Sequence, residues 1–419
     1  MPSPAPSTPT TAEPPADRPA ALGALGQRDF RLLWLGLIVS NTGAWMQQVT
    51  ASWLLWELTH SPLLLGVYGL CRSLPFIATS LYAGALADRV DRRLLLLIAN
   101  AVNALFPLAL GILAALGRVE PWHIYLAAAL SAMVDSFDLP ARQALIPALV
   151  PRAQLMAAIG LVGSLRRATS LLGPSLGGVV VVWMGIAGAF FLNAASFGAV
   201  VLAAALMRTR PPRTTASGSA LAMIGEGLVY VARHPLLGTL LGVEALVTLC
   251  TSYQGILPVF ADTVLGVGPA GLGLLMSAPG LGAILGSAGL VSRGDVAAKG
   301  RFLLVTGGLF GLALLVFATS RVFVLSVVAL AAVGLLDTVY GAVRNTIVQL
   351  AAAEHFRGRV VSLQTLTQRG LGPSGNFITG SLATVVGAPA AVAILALVAT
   401  GLVLWRGWRF PALRDFRAG

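Results

Sequence analysis

The sequence predicts an all-α integral membrane protein with twelve transmembrane helices arranged as two pseudo-symmetric six-helix halves. Of its 419 residues, 57% are hydrophobic and only 11% are charged, whereas soluble domains carry about 25% charged residues. The mean hydropathy is +0.84. Apolar runs recur along the whole chain, and each is long enough to cross a hydrocarbon core of about 30 Å as a helix.

A repeated acid–base pair indicates the two halves. Asp135 and Arg142 stand seven residues apart in an apolar segment, and Asp337 and Arg344 follow at the same spacing, 202 residues later. Seven residues are nearly two helical turns, so each acid and base share one helix face, about 10 Å apart along the axis. The two halves therefore look like copies of one another.

A Gly-Pro-Ser tripeptide is also duplicated, at 173–175 and at 372–374. Two halves with the same orientation form a parallel repeat, which places the substrate site between them near the midplane of the bilayer. The predicted spans cover residues 32–57, 62–86, 93–117, 122–148, 156–184, 186–207, 236–258, 269–292, 301–320, 322–350, 358–386 and 388–408. The predicted domains are a disordered N-terminal tail (1–24), an N-terminal half (25–207), a cytoplasmic linker with a short surface helix (208–235), a C-terminal half (236–408) and a C-terminal tail (409–419).

Basic residues predict which ends of the spans face the cytoplasm. One set of ends, comprising both termini and every second loop, carries 20 of the 28 Lys and Arg residues, whereas the opposite ends carry two, Arg118 and Arg321. Lys and Arg are enriched in loops on the cytoplasmic side of a membrane. We therefore expect both termini to be cytoplasmic.

Several classes of function find no support in the sequence. The basic residues do not form a patch with interleaved aromatics, so we expect no nucleic-acid partner. No phosphate-binding G-x-x-x-x-G-K-[ST] loop occurs, no residues have metal-ligand spacing, and no nucleophile–His–acid set is visible. We expect no enzymatic activity, no metal and no cofactor.

The loop between the second and third spans carries a specific motif. Residues 84–93 read Gly-Ala-Leu-Ala-Asp-Arg-Val-Asp-Arg-Arg. This segment resembles the G-x-L-a-D-R-x-G-R-R loop of the major facilitator superfamily, with Asp91 in place of the family's second glycine. A basic turn that obeys the positive-inside rule is the plainer reading of the same residues.

The resemblance implies a gating role for this loop. In the family the aspartate, here Asp88, meets the start of span eleven, and Arg92 would meet an acid on span four, here Asp138. An aspartate can meet the positive N-terminal end of a neighbouring helix, and Gly84 permits close helix approach. The predicted gating-loop residues are Gly84, Asp88, Arg89, Arg92, Arg93 and Asp138.

Span five carries a second motif, formed by Gly160, Thr169, Gly173, Pro174, Gly177 and Gly178. This pattern is similar to the antiporter motif of drug exporters in the superfamily, g-x8-G-x3-G-P-x2-G-G, with Thr169 in place of one glycine. Glycines remove bulk from one helix face, and the proline removes a backbone donor and bends the helix. A generic small-residue packing face explains the same residues.

Two further stretches, 140–151 and 357–360, resemble the branch of the superfamily that contains the bacterial enterobactin exporter and related efflux proteins. The resemblance covers roughly residues 25–410. It implies the major facilitator fold, in which the first, fourth, seventh and tenth spans line a central cavity.

Charged residues inside the membrane are expensive and mark transport pathways by default. We expect Glu244, Asp135 and Asp337 to couple protons to transport, with Glu244 ranked first. Both aspartates have an arginine two turns away on their own helix, whereas Glu244 has none in span seven. The predicted charge partners are Arg72, Arg142, Arg344, Arg166, Arg167 and Arg369. Structural ion pairs are the alternative role, and Arg72 is a candidate cross-helix partner of Glu244.

Uncharged polar and aromatic residues at helical spacing are expected to contact substrate. Aromatics and amides around a few carboxylates suit large amphipathic solutes, and helix-to-helix hydrogen bonding is the alternative role for each residue. The predicted substrate-cavity residues are Asn41, Trp45, Gln48, Ser52, Thr248, Thr251, Tyr253, Gln254 and Tyr340.

The sequence thus favours a proton-coupled exporter of an amphipathic small molecule, such as a drug or a siderophore. We expect a monomer in the bacterial inner membrane, with protons, a small-molecule substrate and the lipid bilayer as partners. A transporter of a lipid-like or nutrient substrate, including an importer, is the first alternative. A receptor or assembly factor that kept the fold without transport is the second.

Overall fold

The computed structural model describes residues 20–209, 220–293 and 298–414. Some side chains within helices, including those of Gly84, Asp88, Arg89 and Arg369, lie outside this description, and so do the contacts predicted for them. The helices are α1 (Ala20–Gly26), α2 (Arg28–Thr59), α3 (Pro62–Arg89), α4 (Arg92–Ala115), α5 (Pro121–Leu149), α6 (Leu155–Leu206), α7 (Ala220–Arg233), α8 (Pro235–Cys250), α9 (Leu257–Val259), α10 (Gly268–Arg293), α11 (Lys299–Thr319), α12 (Phe323–Ala351), α13 (Arg357–Leu366), α14 (Gly372–Val386), α15 (Ala388–Arg409) and α16 (Pro411–Arg414).

The all-α prediction is confirmed, since the described residues form helices and contain no β-strand. Within them, nine segments are long and apolar enough to cross a membrane. The predicted spans 32–57 and 358–386 lie in α2 and in α13–α14, which are not among the nine. Predicted spans five and six both lie in α6. The count of twelve therefore stays a prediction.

Two glycines with positive φ mark where paired spans turn back across the membrane. Gly185 has φ +73° inside α6, and Gly387 has φ +84° between α14 and α15. The left-handed region suits glycine because it has no Cβ atom. The two glycines are 202 residues apart, the same offset as the acid–base pairs, so the sequence repeat is also a structural repeat.

Two interfaces lined by small residues join the N-terminal and C-terminal halves. In the first, α6 packs against α10, and a Cβ atom added to Gly273 would lie 2.5 Å from the carbonyl oxygen of Pro174. In the second, α3 packs against α14, and a Cβ atom added to Gly69 would collide with the carbonyl oxygen of Pro373. The duplicated Gly-Pro-Ser tripeptides thus each face a glycine of the other half, which allows close backbone approach.

A pair of serines forms a hydrogen bond at each interface. The hydroxyl oxygens of Ser175 and Ser277 are 2.6 Å apart between α6 and α10, and those of Ser73 and Ser374 are 2.7 Å apart between α3 and α14. A buried hydroxyl is costly unless it is hydrogen-bonded. Each hydroxyl satisfies its counterpart across the interface, so the halves are joined by matching hydrogen bonds at related positions.

Further contacts close one end of the molecule. A Cβ atom added to Gly380 of α14 would collide with the carbonyl oxygen of Pro62, the first residue of α3. Between the halves, the indole of Trp56 donates to the carboxylate of Asp262 at 2.9 Å. These residues lie near the span ends that the distribution of arginines predicts to face outside.

The predicted surface helix of the linker corresponds to α7. Its Tyr230 stacks on Phe356 with ring centroids 4.1 Å apart, and its Glu226 forms an ion pair with Arg359 at 2.8 Å. These contacts hold α7 against the beginning of α13. The domain boundaries themselves stay predictions.

We predict that cysteines placed at Ser73 and Ser374 will form a disulfide, because the two hydroxyl oxygens are 2.7 Å apart. The experiment uses a background with Cys71→Ser and Cys250→Ser and a protease site inserted in the linker. After oxidation and cleavage, the two halves should migrate as one band on a non-reducing gel. The pair Ser73→Cys with Ser277→Cys lies on opposite interfaces and should separate. Separation of both pairs would contradict the interface.

Candidate substrate and proton site

A cavity of about 1020 Å³ lies between the two halves. Its walls come from both halves, including α2 and α3 on one side and α8, α10 and α12 on the other. It reaches Leu290 and Val291 in the last turns of α10, so it opens at the end opposite the closed contacts. Drug-sized ligands occupy pockets of about 300–1,000 Å³, and the volume is therefore sufficient for such a molecule.

Most of the uncharged residues predicted to contact substrate line this cavity. They are Gln48, Ser52, Thr248, Thr251, Tyr253 and Gln254. Tyr340 lies in the wall of an adjoining cavity of about 60 Å³. Asn41 and Trp45 are not among the described lining residues, and Trp45 instead packs against Gly173, where an added Cβ atom would lie 2.6 Å from the Trp45 Cβ. Substrate contact by these residues stays a prediction.

Glu244 and Arg344 form a buried ion pair. The guanidinium nitrogen of Arg344 lies 3.0 Å from a carboxylate oxygen of Glu244, and the side-chain amide of Gln368 donates to the same oxygen at 2.9 Å. Glu244 is only 1% exposed. Span seven itself offers Glu244 no positive partner, as expected, and the arginine that binds it comes from α12. A buried carboxylate needs such a partner to offset its lost hydration.

Asp337 lies two turns before Arg344 on α12 and is exposed to the large cavity. Asp337, Arg344 and Glu244 all line the small cavity that adjoins it. One carboxylate oxygen of Glu244 and the Nε atom of Arg344 have no hydrogen-bond partner among the described residues. The three ionisable groups thus meet at one wall, with Asp337 at the water-accessible side and Glu244 behind.

The corresponding arginine of the N-terminal half pairs differently. Arg142 forms an ion pair with Asp138, one turn earlier on its own helix, and Asp138 also accepts a hydrogen bond from Asn100 at 2.9 Å. Asp135 accepts from Asn103 at 2.9 Å and is not among the described residues that line the cavity.

The repeat itself explains this difference between the arginines. The position 202 residues after Asp138 holds Tyr340, which has no carboxylate. Span one, the counterpart of span seven, has no acid between Asp29 and Glu57. Each arginine therefore pairs with the acid that its own half provides, and Arg344 lies over the Tyr340 ring with its central carbon 5.6 Å from the ring centroid.

Two other predicted charge partners face neutral groups in the cavity. Arg72 donates to the side-chain oxygen of Gln48 at 3.2 Å, so it is not the partner of Glu244. Arg167 donates to the hydroxyl of Ser287. Arg166 is exposed.

The described part of the loop motif caps and anchors α4. The carboxylate of Asp91 accepts from the backbone N–H groups of Arg93 and Leu94, so the aspartate that replaces the family's glycine acts as an N-cap. The Arg93 side chain donates to carbonyl oxygens at the end of α6. Arg92 donates to the carbonyl oxygen of Ala144 at 3.4 Å, whereas Asp138 forms its ion pair with Arg142 and accepts a hydrogen bond from Asn100.

The glycines of the span-five motif serve two different neighbours. A Cβ atom added to Gly177 would lie 2.8 Å from the Cα atom of Met46. A Cβ atom added to Gly178 would lie 2.5 Å from the carbonyl oxygen of Pro269. The motif thus packs on α2 within its own half and on α10 across the interface. Gly160 has open space around it, so close packing does not account for it.

Several polar residues of the site were not predicted from the sequence. Asn100 and Asn103 bind the acids of α5, and Gln368 binds Glu244. The only local signal for the two asparagines is that both amides lie within one apolar span, three residues apart. Gln368 has a similar signal, since Gln364 lies four residues earlier in the same predicted span.

The fold and the cavity define a membrane transporter, and comparisons with known proteins agree. Residues 19–415 match the model of the transmembrane secretion effector family. The chain belongs to this family of major facilitator transporters, whose members are transporters and not enzymes.

Two curated relatives illustrate the family. The multidrug efflux pump Tap of Mycolicibacterium fortuitum is 26% identical over 378 residues, which cover 87% of this chain and 92% of that protein. The enterobactin exporter EntS of Citrobacter koseri is 27% identical over 382 residues, which cover 90% of each.

Solved structures of low identity share the fold alone. A bacterial homologue of the human lysosomal transporter Spinster, in an inward-facing and unoccupied conformation, has a TM-score of 0.72 and 15% identity, and the match covers 96% of this chain and 100% of that one. A point mutant of the peptide transporter POT has a TM-score of 0.76 at 13% identity, with the same coverage.

We predict that Arg344→Met will destabilise the protein by about 3–5 kcal/mol, because breaking one side of a buried ion pair leaves an uncompensated charge. Thermal unfolding of the purified protein in detergent measures the effect. The double variant Glu244→Gln with Arg344→Met removes both charges and should regain most of the loss. Equal unfolding temperatures for the single variant and the parent would contradict a buried pair.

Proposed function

We propose that this protein is a proton-coupled antiporter that exports an amphipathic small molecule, such as a drug or a siderophore. The observation that carries the proposal is the wall of the cavity where Asp337, Arg344 and Glu244 meet. A binding space lined by aromatics and amides lies next to three interacting ionisable groups, so occupancy and protonation can influence each other. The names of the two relatives, a multidrug efflux pump and an enterobactin exporter, support the direction of transport.

Arg344 provides the coupling in this proposal, because it pairs with Glu244 and lines the same small cavity as Asp337. With Glu244 ionised, the two form the observed pair at 3.0 Å. A proton on Glu244 removes that partner, and Asp337 on the same helix is then the nearest remaining carboxylate in the small cavity. Since a buried charge needs a partner, protonation of Glu244 favours a different position of Arg344 and a different charge at the cavity wall.

Alternating access follows from the arrangement of the interfaces. The cavity opens at one end while the serine pairs and the contact from Trp56 to Asp262 close the other. Opening the closed end requires separating these hydrogen bonds, the small-residue contacts and the buried apolar cluster that both halves share there. The predicted orientation makes the open end cytoplasmic, which is the state that receives a substrate for export.

We infer a monomer in the bacterial inner membrane with both termini cytoplasmic, two halves at 25–207 and 236–408, and no cofactor. The arginine-rich ends of the spans support this orientation.

The orientation predicts the outcome of a reporter fusion at Thr214. A reporter that is active only outside the cytoplasm should stay silent there, because the linker lies at an arginine-rich end. The matched fusion at Arg118, in a loop on the opposite side of the membrane, should be active. A strong signal at Thr214 with silence at Arg118 would reverse the topology.

We expect Glu244→Gln to abolish pH-driven efflux while retaining exchange of substrate at equal pH, because glutamine keeps the shape of the side chain and cannot carry a proton. The assay measures flux from proteoliposomes with and without an imposed pH gradient, using a panel of fluorescent amphiphiles. Asp135→Asn provides the comparison, and a smaller effect is expected there since Asp135 is not among the residues described as lining the cavity. Normal pH-driven efflux in Glu244→Gln would eliminate its coupling role, and no flux of any amphiphile in the parent would argue against export.

A further inference from the structure

The charges that face the large cavity are not balanced. Among its described lining residues are three arginines, Arg72, Arg167 and Arg344, and one acid, Asp337. Glu244 lies directly behind Arg344 and neutralises it. Arg72 and Arg167 then face a single carboxylate, so the described wall carries an excess of positive charge.

The two remaining arginines are held by neutral partners. Arg72 donates to the amide oxygen of Gln48, and Arg167 donates to the hydroxyl of Ser287. Neither takes part in any ion pair of the described residues. A guanidinium has five N–H donors, so each arginine retains donors after its single described bond. Charged groups inside a membrane protein are expensive and mark ligand paths.

Aromatic residues flank Arg72 on its own helix. Tyr68 lies one turn before it and Phe76 one turn after it, and all three line the cavity. This stripe of α3 places a positive charge between two aromatic residues along the cavity wall. A guanidinium binds carboxylate and phosphate groups through paired hydrogen bonds, and the adjacent rings suit the apolar body of the same molecule.

The two arginines lie at different depths. Arg72 reaches Gln48, well inside α2, whereas Arg167 reaches Ser287, six residues before the end of α10 at the open end of the cavity. An entering anion therefore meets Arg167 first and Arg72 further in.

We propose that the exported substrate is an amphipathic organic anion whose carboxylate or comparable acidic group binds Arg72 after contact with Arg167. The proposal rests on the export function and adds the charge class of the substrate. Because Arg344 neutralises the carboxylate of Glu244, that carboxylate gives the cavity no preference for a cation.

Binding by purified protein tests the charge class directly. Three dansyl compounds serve as probes: anionic dansylglycine, its neutral amide and cationic dansylcadaverine. We expect dansylglycine to bind at least about 10-fold more tightly than dansylcadaverine, since a hydrogen bond to a charged group contributes about 1.5–3 kcal/mol. Arg72→Gln should weaken dansylglycine binding about 10-fold while leaving the neutral amide nearly unchanged, and Arg72→Lys should recover part of the loss.

Arg118→Gln is the matched control, because it removes an arginine outside the cavity and should leave all three affinities unchanged. Equal or tighter binding of the cation, no measurable binding of the anion, or unchanged anion affinity in Arg72→Gln would each overturn the proposal. If Arg72→Gln has the same unfolding temperature as the parent, misfolding is excluded as the cause of its lower affinity for dansylglycine. Arg167→Gln should independently lower the affinity for dansylglycine.

The effect of membrane potential on efflux distinguishes the hypothesis of an anionic substrate from the export function itself. Exchange of one proton inward for one monoanion outward moves two charges across the membrane potential, whereas exchange for a monocation moves none. We therefore expect an inside-negative potential to accelerate dansylglycine efflux from proteoliposomes severalfold. Proton-driven efflux of dansylcadaverine without efflux of dansylglycine would refute the anion while leaving the export function intact.

Discussion

The free-energy cost of burying a charge in a low-dielectric interior determines how the side chains of the candidate site are paired. Glu244 is almost completely buried, and its position is tenable because Arg344 and Gln368 both bind one of its oxygens. A buried ion pair seldom adds much stability compared with apolar packing. Its presence between α8 and α12 is consistent with the change of partner that we propose for transport, which would link the packing of the C-terminal half to the charge of the cavity wall.

The same cost explains how a duplicated sequence came to have unequal halves. The arginine two turns after the aspartate is retained in both copies, but Asp138 neutralises it in one half and Glu244 in the other. The N-terminal ion pair lies within one helix, whereas the C-terminal pair joins two helices and can respond to their relative motion. The two halves thus have different ion pairs, and we assign proton coupling to the C-terminal one.

Close backbone approach provides the second constraint. Glycine opposite each proline carbonyl and a serine pair beside it allow the halves to meet at two related interfaces. Sequence reasoning identified the glycines of span five and the duplicated tripeptide, since small residues and proline leave a recognisable pattern. It did not identify Ser73 or Ser277, because an isolated serine in an apolar helix looks the same whether it faces its own backbone or a neighbour.

The sequence by itself determined the helical class, the membrane setting and the duplication, because hydrophobic length and residue spacing are properties of a continuous segment. Residues at helical spacing share one helix face, and six of the nine uncharged residues predicted to contact substrate line the cavity. Only the tertiary structure decided the ion pairs, the neutral partners of Arg72 and Arg167, and the packing of Trp45 against Gly173. Each depends on which helices lie side by side and on distances of a few ångströms between residues far apart in the chain.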